Sequence, residues 1–193
     1  MNILEKIKNK NAALKVNILK DHLASSGKVL DFGCGDLMFA HKLSKDFPEL
    51  NITGVDVANF GSVPEGVKYV HYDGVKLPFK DNTFDIVIAF HVFHHCTDPI
   101  KAFEECLRVT KKKLLFVEPT YRSKKEIPVM KFMDWFYNTG KKESISLPYQ
   151  FFSQEDWHKV FKKHKVKTQE DIDIDKFPKI IPFGRSYLFT VVK

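Results

Sequence analysis

Asp31, Gly33 and Gly35 stand where a short apolar run, residues 29–32, gives way to a turn and then to a helical stretch. Two glycines one residue apart, with Cys34 between them, let the backbone turn sharply. They also let a ligand approach where a Cβ would obstruct it. Asp56 closes a second apolar run, at the separation from the glycines where a carboxylate accepts hydrogen bonds from ribose hydroxyls. Asp73-Gly74 closes a third run, and a short acid there can accept a hydrogen bond from an adenine amino group. His91, His94 and His95 follow a fourth run; neutral imidazole near pH 7 makes each a candidate general base. Each of these also has a local explanation. Asp56 can cap a turn, Asp73-Gly74 is a good turn dipeptide, and Gly33 can serve tight packing. Three acids ending three successive apolar runs are harder to explain as turn chemistry alone.

Strands and helices in alternation would position such residues. Ile3, Leu4, Ile7, Leu14, Ile18, Leu19 and Leu23 recur at helical spacing and predict one or two amphipathic helices before the Ser25-Ser26-Gly27 turn. Strands are expected at 29–32, 52–57, 67–71, 84–90 and 113–118. The run FDIVIAF at 84–90 is almost continuously apolar, as a central parallel strand should be. A helix is expected at 37–47, with Phe39, Ala40 and Leu43 inward and Pro48 as its stop. Residues 61–66 read as a turn. Asp98-Pro99 reads as an N-cap and a first-turn proline, opening a helix that buries Ile100, Phe103, Cys106 and Leu107. Residues 119–150 are rich in aromatics and show no clear period. Ser153 and Asp156 resemble a capping box for a helix to about residue 163. Strands at 166–172 and 185–192 follow, close enough together to form an antiparallel hairpin on one edge of a mainly parallel, doubly wound α/β sheet. Ligands bind such sheets beyond the carboxyl ends of the strands, where the acids and histidines fall.

Composition narrows the class. At 193 residues, with 44% hydrophobic and 28% charged residues, the chain reads as one ordinary globular domain. Its longest apolar stretch is too short to span a bilayer, and its start lacks the apolar core of a secretory leader. Cys34, Cys96 and Cys106 show no metal-type spacing and leave one cysteine over in any disulfide scheme, so a reducing, cytoplasmic setting is expected. The net charge of +7 gathers in lysine-rich runs at 111–113, 124–125, 141–142 and 162–165. No aromatic-interleaved RNA motif accompanies them, so solvated helix ends and turns explain them better than a nucleic-acid face.

The stretches VLDFGCGD (29–36), GVDV (54–57), YDGVKLPFKDNTFDIVIAFHVFHHCTDP (72–99) and AFEECLRVTKKKLLFVEP (102–119) resemble the class I S-adenosylmethionine-dependent methyltransferases, in particular their type 11 small-molecule branch. FFSQEDWHKVFKKH (151–164) looks like that branch's late helix. The resemblance implies a Rossmann-like sheet of seven strands in the order 3-2-1-4-5-7-6, with helices on both faces. Within residues 1–193 it implies a helical cover (1–26), a cofactor-binding core (27–119), a substrate cover (120–150), and a late helix with a strand hairpin (151–193). It places Asp31, Gly33, Cys34 and Gly35 at the methionine end of S-adenosylmethionine and Asp56 on the ribose. Val57 lies against the adenine, Asp73 on its amino group, and Gly74 beside it. Phe90 and His91 fall near the reacting end. Many members carry a third glycine where this chain has Asp36 or Leu37.

The implied reaction is in-line methyl transfer to a small molecule, leaving S-adenosylhomocysteine. Among His91, His94 and His95, loop structure competes with a base role, and no downstream His or carboxylate completes a recognisable metal pattern, so no metal is expected. Trp135, Phe136, Tyr137, Tyr149, Phe151 and Phe152 can surround an apolar acceptor or bury the cover; Tyr121, Arg122 and Arg185 are the polar candidates. The alternatives are an RNA or protein methyltransferase using the basic surface, and a non-catalytic cofactor-binding protein. A nicotinamide oxidoreductase fits less well, because Met38 stands near the place of the third glycine and the Asp73…LPF stretch has no role there.

Overall fold

The computed structural model describes residues 3–59, 62–138, 148–174 and 184–193. The lysine pair at 141–142, Gly61 of the expected turn and the side chain of Tyr137 lie outside the described residues. Five parallel strands form the body of one sheet: β1 (Gly27–Phe32), β2 (Leu50–Asp56), β3 (Val67–His71), β4 (Phe84–Phe90) and β5 (Thr110–Tyr121). Near its carboxyl end β5 also pairs with the two-residue β6 (Phe152–Ser153). β8 (Arg185–Val192) runs antiparallel beside β5, and β7 (Lys167–Asp173) antiparallel beside β8. The order is β3-β2-β1-β4-β5-β8-β7. Apart from β6, which raises the total to eight, this is the expected seven-stranded order. The chain leaves the centre in one direction through β2 and in the other through β5, so the topological switch point lies between β1 and β4.

Alternation along the strands builds two cores. Leu30 and Phe32, Val87 and Ala89, Leu114 and Phe116 face one side, under α3 (Pro99–Val109) and α5 (Gln154–Lys163), where Trp157 meets Phe93, Phe116 and Phe161. Val29, Ile86, Ile88, Leu115 and Val117 face the other, under α1 (Ile3–Leu19) and α2 (Met38–Asp46). Asp31 lies between Leu30 and Phe32 and therefore points to the α1–α2 side. Both expected caps are present. Asp98 accepts from the Ile100 and Lys101 N–H groups ahead of Pro99, and Ser153 and Asp156 exchange a reciprocal capping box.

Two helices depart from their sequence patterns. In α1, Ile3, Ile7 and Leu14 are exposed, while Ala12, Val16 and Leu19 are buried with Lys15 half-buried on the same arc. The inward stripe is thus 12-15-16-19, built from a small residue and a lysine stem as well as large aliphatics. α4 (Ile127–Asn138) occupies part of the segment without a clear period. It exposes Phe132, Trp135 and Phe136 while Asp134 turns inward, which inverts the pattern that marks an amphipathic helix.

Leu37, where a glycine often stands in the resembling family, caps α2 with φ 61°. Its side chain is fully buried and lies over Gly54, where an added Cβ would meet Leu37 Cδ2 at 2.6 Å and Cys34 Sγ at 2.8 Å. The left-handed backbone costs about 1–2 kcal/mol; the buried leucine contributes more than that, about 3–5 kcal/mol. Leu37→Gly is therefore expected to lower the unfolding free energy by about 1–4 kcal/mol, the balance of those two effects. Urea denaturation measures it, and a variant more stable than the native chain would contradict this account.

Candidate functional site

The carboxyl ends of β1, β2 and β4 bring the first group of predicted residues together. Gly33 and Gly35 both adopt positive φ, 69° and 52°, but they serve different needs. A Cβ on Gly33 would meet both Val92 methyls at 2.6 Å, so this glycine lets the loop after β4 pack against the loop after β1. Around Gly35 nothing lies within 4 Å of a Cβ position, so its backbone faces open space. Gly35 N–H donates to Asp56 Oδ2 at 2.9 Å and Ala58 N–H to Asp56 Oδ1 at 3.0 Å, which holds the two loops in register.

Asp31 is 3% exposed, and its Oδ2 accepts no hydrogen bond. Burial raises its carboxyl to a pKa of about 7; the Lys15 ammonium opposes the shift, and the charges of Asp56 and Asp36 add to it. Lys15 lies over the Phe90 ring at 5.0 Å. Sequence spacing did not single out this lysine, because its place on the inward arc of α1 shows only once Ala12 is seen to be buried.

Val57 is exposed beyond β2, and a Cβ on Gly74 would approach its Cγ1 at 3.2 Å, so the two form neighbouring walls. Asp73 Oδ1 accepts from the Val75 and Lys76 N–H groups, which lowers its pKa and fixes the turn. The LPF stretch that follows is clamped from α3. Glu105 accepts from Leu77 N–H, while Arg108 donates to the Leu77 and Phe79 carbonyls and to Glu105. These two residues explain why the motif continues into AFEECLRV.

The three histidines separate by role. His91 has φ 53° and donates its N–H to Val117 O at 2.8 Å. The residue is solvent-exposed. Desolvation by the surrounding protein lowers its pKa to about 4; Glu118 opposes, and the charges of His94 and Lys15 contribute to the lowering. His94 is 2% exposed, with Nδ1 2.6 Å from Glu118 Oε2 and Nε2 3.4 Å from Asp134 Oδ1. Burial disfavours its charged form, but Glu118 and Asp134 outweigh it and raise the pKa to about 9. Glu118, also 2% exposed, accepts from the Val92 and Phe93 N–H groups. His95 Nε2 lies 3.7 Å from Asp134 Oδ1. Glu118 and Asp134 were not singled out in sequence. Glu118 is simply the last acid of a strand, and Asp134 lies in the segment without a legible period.

The expected substrate residues are more dispersed. Phe151 stacks on His94 at 5.1 Å, and Gln150 bonds the His94 and Thr97 carbonyls, so residues 150–151 strap the histidine loop. Lys131 lies 5.5 Å over the Tyr149 ring, and Trp135 is half-exposed beside Phe132. Tyr121 donates to Asp156, Arg122 pairs with Glu126, and Arg185 pairs with Asp173, so each polar candidate already has an internal partner.

The sheet order, with a loop cluster at its switch point, defines a Rossmann-like α/β fold. Residues 30–117, a little under half of the chain, match a family described as a methyltransferase domain, which supports a class I S-adenosylmethionine-dependent methyltransferase of the type 11 branch. S-adenosylmethionine is the cofactor of that family. The chain is 36% identical over 104 residues to a demethylmenaquinone methyltransferase of Staphylococcus aureus (strain JH9), covering 49% of this chain and 43% of the relative. It is 33% identical over 95 residues to cycloartenol-C-24-methyltransferase 1 of Oryza sativa subsp. japonica, covering 44% and 27%. It thus spans less than half the length of either relative. Solved structures of similar fold include a SAM-dependent methyltransferase from Aquifex aeolicus (TM-score 0.63, 16% identity, covering 91% of this chain and 87% of that one). The [4+2]-cyclase SpnF shares the fold too (TM-score 0.69, 16% identity, covering 96% and 80%).

Proposed function

We infer that this chain transfers the methyl group of S-adenosylmethionine to a small molecule with an apolar body. The observation that carries the reading is the buried Asp31 carboxyl, whose Oδ2 accepts no hydrogen bond, beside the open backbone of Gly35 and the Asp56 loop. A buried acid in that state calls for a cationic partner. The cofactor's amino group is one. In this reading Asp31 holds the ammonium, Gly33, Cys34 and Gly35 shape the turn beneath it, and Asp56 takes the ribose hydroxyls. Val57 and Gly74 flank the adenine, and Asp73 meets its amino group.

The bound cofactor supplies an electrophilic methyl on sulfur. The chain's task is orientation and the exclusion of water, and orientation can account for about 7–11 kcal/mol of such a barrier. Phe90 and His91 line the reacting end. His94 is an unsuitable base because both ring nitrogens are engaged by carboxylates. His91, neutral at pH 7, can accept a hydrogen bond from the acceptor and orient it, but with a pKa of about 4 it takes a full proton poorly. The two relatives' names, demethylmenaquinone methyltransferase and cycloartenol-C-24-methyltransferase, support an apolar acceptor. Trp135, Tyr149 and Phe151 are the aromatic candidates for such a role, with Arg185 at the start of β8. Three free cysteines suit a reducing, cytoplasmic setting, and among the described residues no helix is long and apolar enough to cross a membrane.

Calorimetric titration with S-adenosylmethionine and S-adenosylhomocysteine tests the reading. Native chain should bind both, and Asp56→Ala should weaken each by at least about tenfold, or 1.4 kcal/mol. Equally weak binding by the two proteins would refute it. Binding without turnover of any acceptor would leave a cofactor-binding protein.

A further inference from the structure

His94, His95 and Asp134 come together from two elements, a short 3-10 turn after β4 and the middle of α4. The methyl-transfer reading uses none of them as a ligand for cofactor or acceptor. Their donor atoms, one from each residue, all lie within 4.8 Å of one another. The Asp134 oxygen is 3.4 Å from His94 Nε2 and 3.7 Å from His95 Nε2. An ion bound tetrahedrally at the usual zinc–nitrogen distance has donor–donor edges of about 3.3 Å, so two of the three edges are close to formed. Octahedral sites have shorter edges and favour oxygen donors, and they fit less well.

Two further features belong to a metal centre more than to a simple ion pair. His94 Nδ1 is held at 2.6 Å by the buried Glu118, which is in turn fixed by two backbone N–H groups. That is the outer carboxylate that orients a ligating imidazole and turns its other nitrogen toward the ion. The second oxygen of Asp134 is buried and accepts no hydrogen bond. A carboxylate completing only a histidine pair would have no need to hide it.

We propose that His94 Nε2, His95 Nε2 and Asp134 form a binding site for a divalent transition metal, zinc in the first place. Binding requires His94 Nε2 and the Asp134 carboxyl unprotonated, so a proton held on either goes to solvent. Three protein ligands leave one position for water, the coordination of sites that keep an exchangeable ligand. The His91 and His94 rings are 6.4 Å apart, so the ion would sit at the border of the cofactor cleft rather than in the distant core.

The test uses full-length chain stripped with a chelator, dialysed, and titrated with zinc chloride, with metal content read by mass spectrometry. One zinc per chain is expected for the native protein. His95→Ala and Asp134→Asn should each bind at least about tenfold more weakly, in line with the sensitivity of metal sites to their supporting groups. Circular dichroism verifies that both variants fold, and Asp134→Asn should retain its affinity for S-adenosylhomocysteine. That affinity also separates this proposal from the cofactor assignment, since either can fail alone. Absence of bound zinc, or equal zinc binding by native chain and folded variants, would overturn the site.

Discussion

Asp31→Asn is expected to make the cofactor-free protein more stable at pH 8 and to impair its binding of S-adenosylhomocysteine. In the unfolded chain this carboxyl ionises near 3.8, whereas in the folded chain it holds its proton to about 7. Between those values the unfolded state loses the proton first, so native stability falls as pH rises from about 4 through 7. At 1.36 kcal/mol per pH unit the fall amounts to about 4 kcal/mol. The asparagine variant lacks this dependence, although its own amide, poorly paired in the same place, costs about 1–3 kcal/mol. The two melting curves should therefore nearly coincide, or favour the native chain, at pH 4, and favour the variant at pH 8. Over that interval the difference in Tm should change by about 10 °C. Affinity should move the other way, falling at least about tenfold, because the amide removes the charge that an ammonium would pair with. A pH-independent difference in Tm would show that Asp31 carries no buried-charge penalty. Unchanged affinity would remove it from the cofactor site.

The ends of the parallel strands decide which parts of the candidate site are legible in sequence. Asp31, Asp56 and Asp73-Gly74 could be read because strand ends are marked by the halt of an apolar run, and the chemistry of such sheets gathers there. The burial of β4 could be read from its unbroken apolar run for the same reason. What the pattern could not disclose is which of two compatible tasks a residue performs. Gly33 and Gly35 look equivalent in sequence, yet one accommodates Val92 and the other faces open space. Leu37 looks like an intrusion into a glycine turn, yet its side chain turns away into the core over Gly54.

The elements that escaped sequence reasoning share one cause. Lys15 and Asp134 are polar residues turned inward on helices, and hydrophobic periodicity assigns such residues to solvent. Their helices consequently looked misaligned, with Leu14 taken for the core and α4 showing no period at all. An inward polar residue on a helix that exposes its aromatics is the feature to look for, since only a site or an internal partner justifies that orientation. Asp134 meets His94 and His95, and the Lys15 charge acts on the buried Asp31.

Glu118→Ala should be the most damaging single change in the loop after β4. Three donors converge on this buried carboxylate: Val92 N–H at 2.7 Å, Phe93 N–H at 2.9 Å and His94 Nδ1 at 2.6 Å. Alanine leaves two backbone groups unpaired and removes the counter-charge of a buried imidazole, losses that together are expected to cost about 3–5 kcal/mol. Because Val92 packs directly on Gly33, the disturbance reaches the turn after β1, so cofactor affinity should fall along with stability. Glu118→Gln separates the contributions. Its carbonyl oxygen still accepts from the backbone N–H groups, while its amide cannot serve as an acceptor for His94, so the loss should be smaller but still measurable. Urea unfolding midpoints for both variants, compared with titrations of S-adenosylhomocysteine, read the two effects independently. A cost below about 1 kcal/mol for the alanine variant would mean that water replaces the carboxylate, contrary to the dry, fully engaged environment of Glu118.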